Sequence, residues 1–363
     1  MKKSNYWIAF SSIEQIDSTF VQRLYNYFGD IEAAYKASAR DLEQIEGLNI
    51  KKAKKFIELR SKINLEKTVD EVVKRNVKYL TFEDEKYPQM LKQINNPPVV
   101  LYYKGDLDIC NLNRTLAVVG SRRASSNARK DLAHIISKLG GTDICVVSGL
   151  ASGIDTTAHE AALDNNLKTI GVIASGFDYT YPAANKRLYE KIQDGNGAVI
   201  SEYYPTFEPL KFRFPQRNRI VSGLSSGTLV AEASLKSGAL ITANLTLEQG
   251  RELMCIPGLI SNPNTQGIYK LLKNGAAIVT CADDILNTLG WEVQTNKQLV
   301  LEVSDLPEDE EKIFKAIEIE PKGVDELLAQ TGIKLDNLLT YLTTMELKGI
   351  IEQAGTDRYK RVH

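Results

Sequence analysis

Apolar residues follow two different periodicities along this chain, and the change between them divides it into regions. In residues 1–75 apolar positions recur at the spacing of amphipathic helices, most clearly in residues 13–28, 30–38 and 39–63. Between residues 115 and 280, short continuous apolar runs alternate with helical stretches. Continuous apolar strands separated by helices are typical of a parallel sheet covered on both faces. The pattern therefore predicts an α/β, Rossmann-like doubly wound domain after a helical segment.

The individual elements of this domain follow from the same pattern. We expect strands at residues 115–119, 143–147, 168–173, 197–201, 227–233, 252–257 and 276–280. We expect helices between them at residues 127–139, 154–165, 185–194, 240–249 and 267–274. The preceding segment, residues 77–106, reads as an extended connector in which Pro97 and Pro98 exclude a helix.

The last part of the chain has a third pattern. Three helical stretches are followed by a two-strand ribbon that turns at residues 354–357, and that order is typical of a winged helix. A polar link at residues 294–304 precedes it. We therefore predict three domains, a helical one at 1–75, a Rossmann-like one at 76–293 and a winged helix at 303–363.

Composition narrows the class of protein. With 363 residues, 43% of them hydrophobic and 25% charged, the chain matches an ordinary folded protein rather than a disordered or fibrous one. No run of 18 apolar residues occurs, and the N-terminus lacks the apolar core of a signal peptide. The four cysteines are far apart and never form CxxC, so neither a zinc site nor a disulfide framework is expected. We expect a cytoplasmic protein without a membrane partner.

The formal net charge of −1 conceals an asymmetry. Residues 1–105 hold 18 Lys and Arg against 14 Asp and Glu, a balance of +4, whereas residues 296–363 hold 9 against 14, a balance of −5. An acidic winged helix would repel DNA, so we expect it to dock protein or to regulate. The lysines at 51, 52, 54 and 55, after a glycine turn, resemble a helix-hairpin-helix contact with DNA. A solvated lysine face is the alternative.

Two glycine-rich loops follow predicted strands and open helices. The first is Gly120-Ser121-Arg122-Arg123-Ala124-Ser125-Ser126, and the second runs from Ser148 and Gly149 to Asp155. Backbone N–H groups at a helix start bind anions, and arginines add charge-assisted contacts. Neither loop is GxGxxG or a P-loop, so NAD binding and ATP hydrolysis have little support. The alternative for the first loop is a surface arginine pair at a capped helix, and His159 in the second helix reads as a packing residue.

A third segment, residues 209–225, is the densest. Lys211, Arg213, Arg217 and Arg219 lie within nine positions and are interleaved with Phe212 and Phe214. Arginines bind phosphates and aromatic rings stack on bases, which is how single-stranded nucleic acid is held without sequence readout. The alternative is a packed helix start whose arginines cap neighbouring carbonyls. Glu232, after the next strand, is either an acid/base group or, as we favour, the salt-bridge partner of one of these arginines.

Taken in order, these blocks resemble one family. GSRRAS, SGLASGIDTTAH, FPQRNRIVSGLS, GTLVAEAS with SGALITA, and KLLKNGA are similar to the DNA processing protein A family (DprA, also Smf), strongly over residues 80–290. The resemblance implies an extended Rossmann-like domain flanked by an N-terminal helical domain, SAM-like or helix-hairpin-helix-like, and a C-terminal winged helix. It implies a homodimer that binds single-stranded DNA and catalyses no reaction. It further implies loading of the RecA recombinase onto strands that carry single-strand-binding protein, in natural transformation and DNA recombination.

The resemblance also assigns candidate DNA-binding residues. Phosphate contacts are expected in all three segments, with Lys211 and Phe214 flanking the strand, and the complete set is Arg122, Arg123, Ser148, Gly149, Lys211, Phe214, Arg217, Asn218 and Arg219. No catalytic residue, metal or cofactor is expected. Ser152 departs from the family, in which many members carry a basic residue, so the second loop would add less to DNA affinity here.

Two other functions remain open at this point. A nucleotide N-glycosidase of the lysine-decarboxylase-like Rossmann group also has a glycine loop followed by Glu, but here GTLVAE places the Glu one residue later and lacks the preceding proline-led glycine pair. A regulatory sensor of a small nucleotide or phosphate could use the same anion-binding loops.

Overall fold

The computed structural model describes residues 2–110, 112–292, 306–317, 321–347, 350–354 and 357–361. The chain divides into two compact units, residues 1–293 and 294–363. The polar link predicted at 294–304 lies outside the described residues. No described helix is long and apolar enough to cross a membrane.

The first unit begins with six helices around an aromatic core. Their bounds are α1 Lys3–Ser11, α2 Ser18–Phe28, α3 Ile31–Lys36, α4 Ala39–Glu43, α5 Ile50–Arg60 and α6 Leu65–Lys74. Phe10 stacks on Phe56, with ring centroids 4.9 Å apart. Helix α1 lies outside the predicted segments because Tyr6 to Phe10 are buried consecutively, which removes the amphipathic period. The turn at Gly47 expected between α4 and α5 is present, with φ +68°.

These helices share a core with the edge of the large sheet. Tyr102 and Tyr204 pack into the same buried cluster as the helices, and the Tyr204 hydroxyl donates to Thr68 O at 2.9 Å. The helical segment and the sheet therefore form one compact unit, and the boundary drawn at residues 75 and 76 stays a prediction.

A nine-stranded sheet forms the centre of the described part of this unit. Its strands are β1 Lys78–Thr81, β2 Val100–Gly105, β3 Thr115–Gly120, β4 Cys145–Ser148, β5 Lys168–Val172, β6 Gly197–Ser201, β7 Gly227–Glu232, β8 Glu252–Cys255 and β9 Ala277–Ile278. Their order is β1-β2-β6-β5-β4-β3-β7-β8-β9. Strands β3 to β9 are mutually parallel, which confirms the predicted parallel sheet. The predicted connector instead supplies two strands, because β2 pairs antiparallel with β6 and β1 with β2.

Helices cover both faces of the sheet, as the apolar strands require. The remaining helices of this unit are α7 Gln89–Lys92, α8 Ser126–Ser137, α9 Ile154–Asp164, α10 Lys186–Gln193, α11 Arg213–Gly223, α12 Ala239–Glu248, α13 Gln266–Lys273 and α14 Ala282–Thr288. Apolar side chains of α8, α9 and α14 form one core, and those of α11, α12 and α13 form another. The doubly wound architecture is thereby confirmed.

The order of strands fixes where loops meet. From β3 the chain proceeds to β4, β5 and β6 on one side, and β7, β8 and β9 lie on the other side of β3. The loops after β3 and β7 therefore separate at the carboxyl edge of the sheet and leave a crevice between them. In open parallel sheets this reversal of strand order is where ligands bind.

The second unit has the predicted winged-helix order. Its elements are α15 Glu308–Ala316, β10 Lys322–Gly323, α16 Val324–Thr331, α17 Leu335–Leu347, β11 Ile351–Gln353 and β12 Arg358–Arg361. The strands pair in the order β10-β12-β11, and Ile313, Leu338 and Leu342 are fully buried in the core between the helices. Residues 355 and 356 of the predicted turn lie outside the described residues.

Candidate nucleic-acid interface

A cavity of about 700 Å³ occupies the crevice at the reversal point. It is lined by the loops after β3, β4 and β7 and by the first turns of α11. Four of its lining side chains are basic, Arg122, Arg123, Lys211 and Arg217, and one, Asp155, is acidic. The cavity is thus positively charged although the whole chain is not.

The loops after β3 and β4 touch through a glycine. Gly153 has φ +83°, and a Cβ there would lie 2.3 Å from Ser121 O. The Ile154 N–H, directly after it, donates to Ser121 O at 3.2 Å. A side chain at position 153 would push the two loops apart, so this glycine keeps both on one side of the cavity.

The first loop presents two arginines to solvent. Arg122 and Arg123 are exposed, and within the described part of the chain neither guanidinium has a carboxylate partner. The loop itself is fixed, because Ser125 caps α8 by accepting from Ala128 N at 3.2 Å and donates its own N–H to Glu232 at 3.1 Å. A rigid loop with unpaired arginines is suited to binding an anion.

An aromatic pair lies beside these arginines. The Phe214 and Tyr181 rings meet edge to face with centroids 5.2 Å apart, and Arg122 Cζ lies 5.3 Å from the Phe214 centroid. Tyr181 is 48% exposed and belongs to the loop after β5, which the sequence analysis did not include. Such a cation and ring surface is the kind on which a nucleobase stacks.

The loop after β4 is organised by a buried carboxylate. Asp155 accepts from Gly149 N at 3.1 Å and from Ala151 N at 3.3 Å. Burial raises the pKa of Asp155 to about 6, although Arg217 opposes that rise. A Cβ on Gly149 would lie 2.6 Å from Arg217 Nη2 and 2.7 Å from Asp155 Oδ2, so only glycine fits between them. Asp155 was not among the predicted site residues.

The arginines of α11 are held by the protein. Arg217 lines the cavity but is 4% exposed, and its Nη1 donates to Gly149 O at 2.7 Å and to Val172 O. Arg219 forms a two-pronged ion pair with Glu202, at 2.8 Å and 2.6 Å, and donates to Asn96 O at 2.9 Å. Arg213 is paired with Glu14 and is surrounded by three aromatic rings. These three side chains therefore agree with the alternative given for residues 209–225, a packed helix start whose arginines cap neighbouring carbonyls.

The structure therefore gathers most of the predicted residues and leaves two outside. Those that line the cavity are Arg122, Arg123, Gly149, Lys211, Phe214, Arg217 and Asn218. Ser148 is fully buried and donates to Val118 O at 2.6 Å, and Arg219 lies beside a second cavity near Glu202. Ser152 is exposed at the tip of its loop.

The opposite wall of the cavity was not predicted as a site. It comes from the loop after β7 and the start of α12, with Ser234, Ser237, Gly238 and Thr242, and from Asn264 after β8. The sequence contained a signal in its serine, glycine and threonine content directly after a strand, but the segment has only one basic residue, Lys236, and no cluster of charge marked it.

Two side chains raised as catalytic candidates have structural partners. His159 is fully buried, its Nδ1 lies 2.7 Å from Thr169 Oγ1, and burial lowers its pKa to about 3, in agreement with a packing role. The salt bridge favoured for Glu232 is wrong. Its carboxylate accepts from Ser125 N at 3.1 Å and from Asn262 Nδ2 at 3.3 Å, because it faces the start of α8 rather than α11. Within the described residues no cluster of three potential metal ligands occurs.

Sequence comparison decides the family. Residues 78–290 match the family described as DNA recombination-mediator protein A, and residues 301–355 match the DprA winged helix domain. The chain belongs to the DNA recombination-mediator protein A family. Protein Smf of Synechocystis sp. is 32% identical over an alignment of 391 positions, which covers 98% of both chains. DNA processing protein DprA of Streptococcus pneumoniae is 47% identical over 203 residues, 56% of this chain and 71% of that one.

Solved structures of the family agree with the fold. The crystal structure of Streptococcus pneumoniae DprA matches with TM-score 0.69 and 38% identity, covering 79% of this chain and 98% of that one. A Helicobacter pylori DprA structure, described for its single-stranded DNA binding mode, matches with TM-score 0.52 and 30% identity over 58% of this chain and 95% of that one. The fold is thus shared with solved structures of this family.

Proposed function

We propose that this protein binds single-stranded DNA in the cavity at the reversal point and acts as a recombination mediator. The observation that carries the proposal is the set of exposed basic groups of Arg122, Arg123 and Lys211 beside the Phe214 and Tyr181 rings. These cations have no carboxylate partner among the described residues and supply the phosphate contacts, and the rings supply stacking that tolerates any base. The single-stranded DNA binding of the Helicobacter pylori relative supports it.

The roles of the predicted residues divide by exposure. Arg122, Arg123, Lys211 and Asn218 contact the phosphates, and Phe214 stacks on a base. Arg217 and Gly149 form the floor of the cavity, where Arg217 holds two carbonyl oxygens and adds positive potential. Ser148 and Arg219 act indirectly, because the first fixes the end of β4 and the second fixes α11.

The mediator role itself follows from family membership. A protein of this family would deliver RecA to strands that carry single-strand-binding protein, as in natural transformation, and would act as a homodimer. Exposed apolar side chains in the loop after β8 and on β9 support self-association, since Ile260 is 82% exposed, Leu259 65% and Ile278 57%. These three side chains are candidates for the dimer interface together with helix α13.

The geometry favours binding over the glycosidase alternative. That reaction needs a carboxylate that reaches the sugar beside the phosphate site. Glu232 is 1% exposed and accepts hydrogen bonds from Ser125 and Asn262, and the carboxylate that does line the cavity, Asp155, accepts from two backbone N–H groups. Both carboxylates are therefore occupied in holding loops.

Fluorescence anisotropy of a labelled oligonucleotide tests the proposal. We expect strand-selective binding whose affinity falls with salt, at a log–log slope near −0.7 for each phosphate neutralised. The double variant Arg122→Ala/Arg123→Ala should weaken binding at least 10-fold and reduce the slope by about 1.4, because two charge-assisted contacts are lost.

The matched control is Arg129→Ala/Lys130→Ala. Both side chains are exposed on α8, remove the same charge and lie outside the cavity lining. Equal losses in the two double variants would mean that general positive charge, not this cavity, binds DNA. Absence of strand binding at low salt, with tight binding of a free mononucleotide, would favour the phosphate sensor instead.

A further inference from the structure

We propose that the wall opposite the arginines is a second phosphate subsite, so that the cavity takes two consecutive phosphates of one strand. The inference rests on the proposed DNA-binding function and names the ligand unit, a dinucleotide with two phosphates. The polar residues of this wall are Ser234, Ser237, Gly238, Thr242 and Asn264, and Ala239 and Ile241 add apolar side chains to it. We call it the hydroxyl wall.

Thr242 is the central observation. Thr242 is 2% exposed, yet it lines the cavity. Its hydroxyl has no hydrogen-bond partner among the described residues. A helical threonine usually bonds a carbonyl one turn back, as Thr246 does to Thr242 O at 2.8 Å on the same helix. A hydroxyl of a cavity-lining residue that has no partner within the protein is available to a ligand.

Two further polar groups converge on the same place from other segments. The Ser234 hydroxyl, after β7, and the Asn264 side-chain amide, after β8, both line the cavity, and neither has a partner in the part of the chain that the structure describes. Ser234 and Asn264 are half-buried, so together with Thr242 they give three polar side chains that line one space without a partner in the described protein, an arrangement that a bound acceptor would complete.

The backbone adds to this wall. Gly238 precedes α12 as its N-cap, and the N–H groups of the next three residues donate within the protein, to Ser237 Oγ, Ser237 O and Gly238 O, so this helix start contributes through its potential rather than through free donors. Helix α12 has ten residues, and the partial positive charge at its N-terminus favours an anion. Hydroxyls, amides and helix N-termini are common phosphate donors in nucleic-acid complexes.

A phosphate fits this wall better than a base does. The wall lacks an aromatic ring, and its donors are uncharged, whereas the Phe214 and Tyr181 rings and the arginines lie on the other side. A volume of about 700 Å³ is also far more than one phosphate fills, since pockets of about 300–1,000 Å³ hold whole drug-sized ligands. One phosphate at the arginines and the next at the hydroxyl wall, with a base on Phe214 between them, uses both sides.

The test compares two competitors of the labelled strand, thymidine 5′-monophosphate with one phosphate and pTpT with two. We expect Thr242→Val to weaken competition by pTpT at least about 10-fold, the value of one hydrogen bond to a charged acceptor. Competition by the monophosphate should change less than 2-fold. The salt slope should stay unchanged, because a neutral donor releases no counterion.

The matched control is Thr246→Val, the same change one turn along α12. Thr246 bonds Thr228 Oγ1 at 2.7 Å and does not line the cavity, so this variant should lose stability but keep its affinity. Thr242→Val should keep its melting temperature, since its hydroxyl has no internal bond to lose. Ser234→Ala, in a different segment, should reproduce the selective loss for pTpT.

The outcomes separate the two proposals. Unchanged pTpT competition in both Thr242→Val and Ser234→Ala, while Arg122→Ala/Arg123→Ala loses binding, would overturn the second subsite and leave the DNA-binding function intact. Equal losses for both competitors would also overturn it, since they would place Thr242 at the first phosphate. Failure of the unmodified protein to bind any strand would remove both proposals.

Discussion

The loop after β3 and the start of α11 are both rich in arginine, yet the fold uses their charges in opposite ways. Arg122 and Arg123 are exposed and have no carboxylate partner within the described residues. Arg213, Arg217 and Arg219 are buried, and every one of them donates to a carbonyl or a carboxylate of the protein.

The difference shows that a basic cluster in a sequence can serve two ends. Buried arginines that satisfy carbonyls and carboxylates fix the shape of the cavity, because removing one leaves its partners unpaired. Exposed arginines on a fixed loop leave their donors for a ligand. Stability measurements and binding measurements should therefore separate the two groups.

The largest expected effect is on stability, in Arg219→Ala. Its side chain and that of Glu202 are 11% and 10% exposed, so the variant leaves a carboxylate uncompensated in the protein. We expect the free energy of unfolding to fall by about 3–5 kcal/mol, measured by urea denaturation. Arg123→Ala should change it by less than about 0.5 kcal/mol.

The variant Arg219→Met/Glu202→Leu refines this prediction. Removal of both charges should recover much of the lost stability, because apolar side chains of similar volume often replace a buried ion pair without loss. If Arg219→Ala is as stable as Arg123→Ala, the proposed difference between buried arginines, which are bonded within the protein, and exposed arginines, which are left for a ligand, is wrong.

A smaller effect, on the pH dependence of stability, is expected from Asp155, whose buried carboxylate is likewise held by hydrogen bonds within the protein. Its pKa is raised from 3.8 to about 6 by burial, so the folded protein holds this proton more tightly than the unfolded chain. Its contribution to stability therefore falls as pH rises from about 4 to 6. His159 has the opposite sign, because burial lowers its pKa from 6.5 to about 3 and its contribution rises with pH over that range.

The variant Asp155→Asn should reveal the pH dependence of stability that His159 contributes, because the opposing contribution of Asp155 is removed. Between pH 4.5 and 6 the unfolding free energy of the variant, relative to the unmodified protein, should rise by up to about 1.4 kcal/mol per pH unit. Urea denaturation at four pH values measures this difference. Asp164→Asn, at an exposed aspartate on the same helix, is the control and should give parallel curves. A parallel curve for Asp155→Asn would mean that this carboxylate titrates normally.

Sequence reasoning reached the sheet and the position of the cavity for identifiable reasons. The seven predicted strands are continuous apolar runs, and ligands bind beyond the carboxyl ends of such strands. It did not predict that residues 100–105 join the sheet, because β2 pairs with a strand about a hundred positions later, Tyr102 opposite Ser201. Such pairing leaves no local pattern.

The hydrogen bonds within the site were harder to predict from the sequence for the same reason. The partners that hold Arg217 and Arg219 are Val172 O, Glu202 and Asn96 O, all distant along the chain or on other elements. The hydroxyl wall has no cluster of charged residues to mark it, since its segment contains only Lys236. Residue types and strand ends therefore predict where a ligand binds, whereas the division between free and committed side chains requires the three-dimensional contacts.

The smallest expected effect, on single-strand affinity, concerns the basic residues of β12 in the winged helix, the strand that we call the wing. Arg358 is paired with Glu326 at 3.4 Å and Lys360 with Glu352 at 2.8 Å, in a segment whose balance is −5 over residues 296–363. Paired charges in an acidic unit release few counterions on binding DNA. Arg358→Ala/Lys360→Ala should therefore leave single-strand affinity within about 2-fold and the salt slope unchanged, by the same anisotropy titration. A slope reduced by about 1.4, as expected for Arg122→Ala/Arg123→Ala, would show that these two residues contact phosphates despite their ion pairs. It would also mean that a surface ion pair, unlike burial, leaves a basic side chain available to DNA.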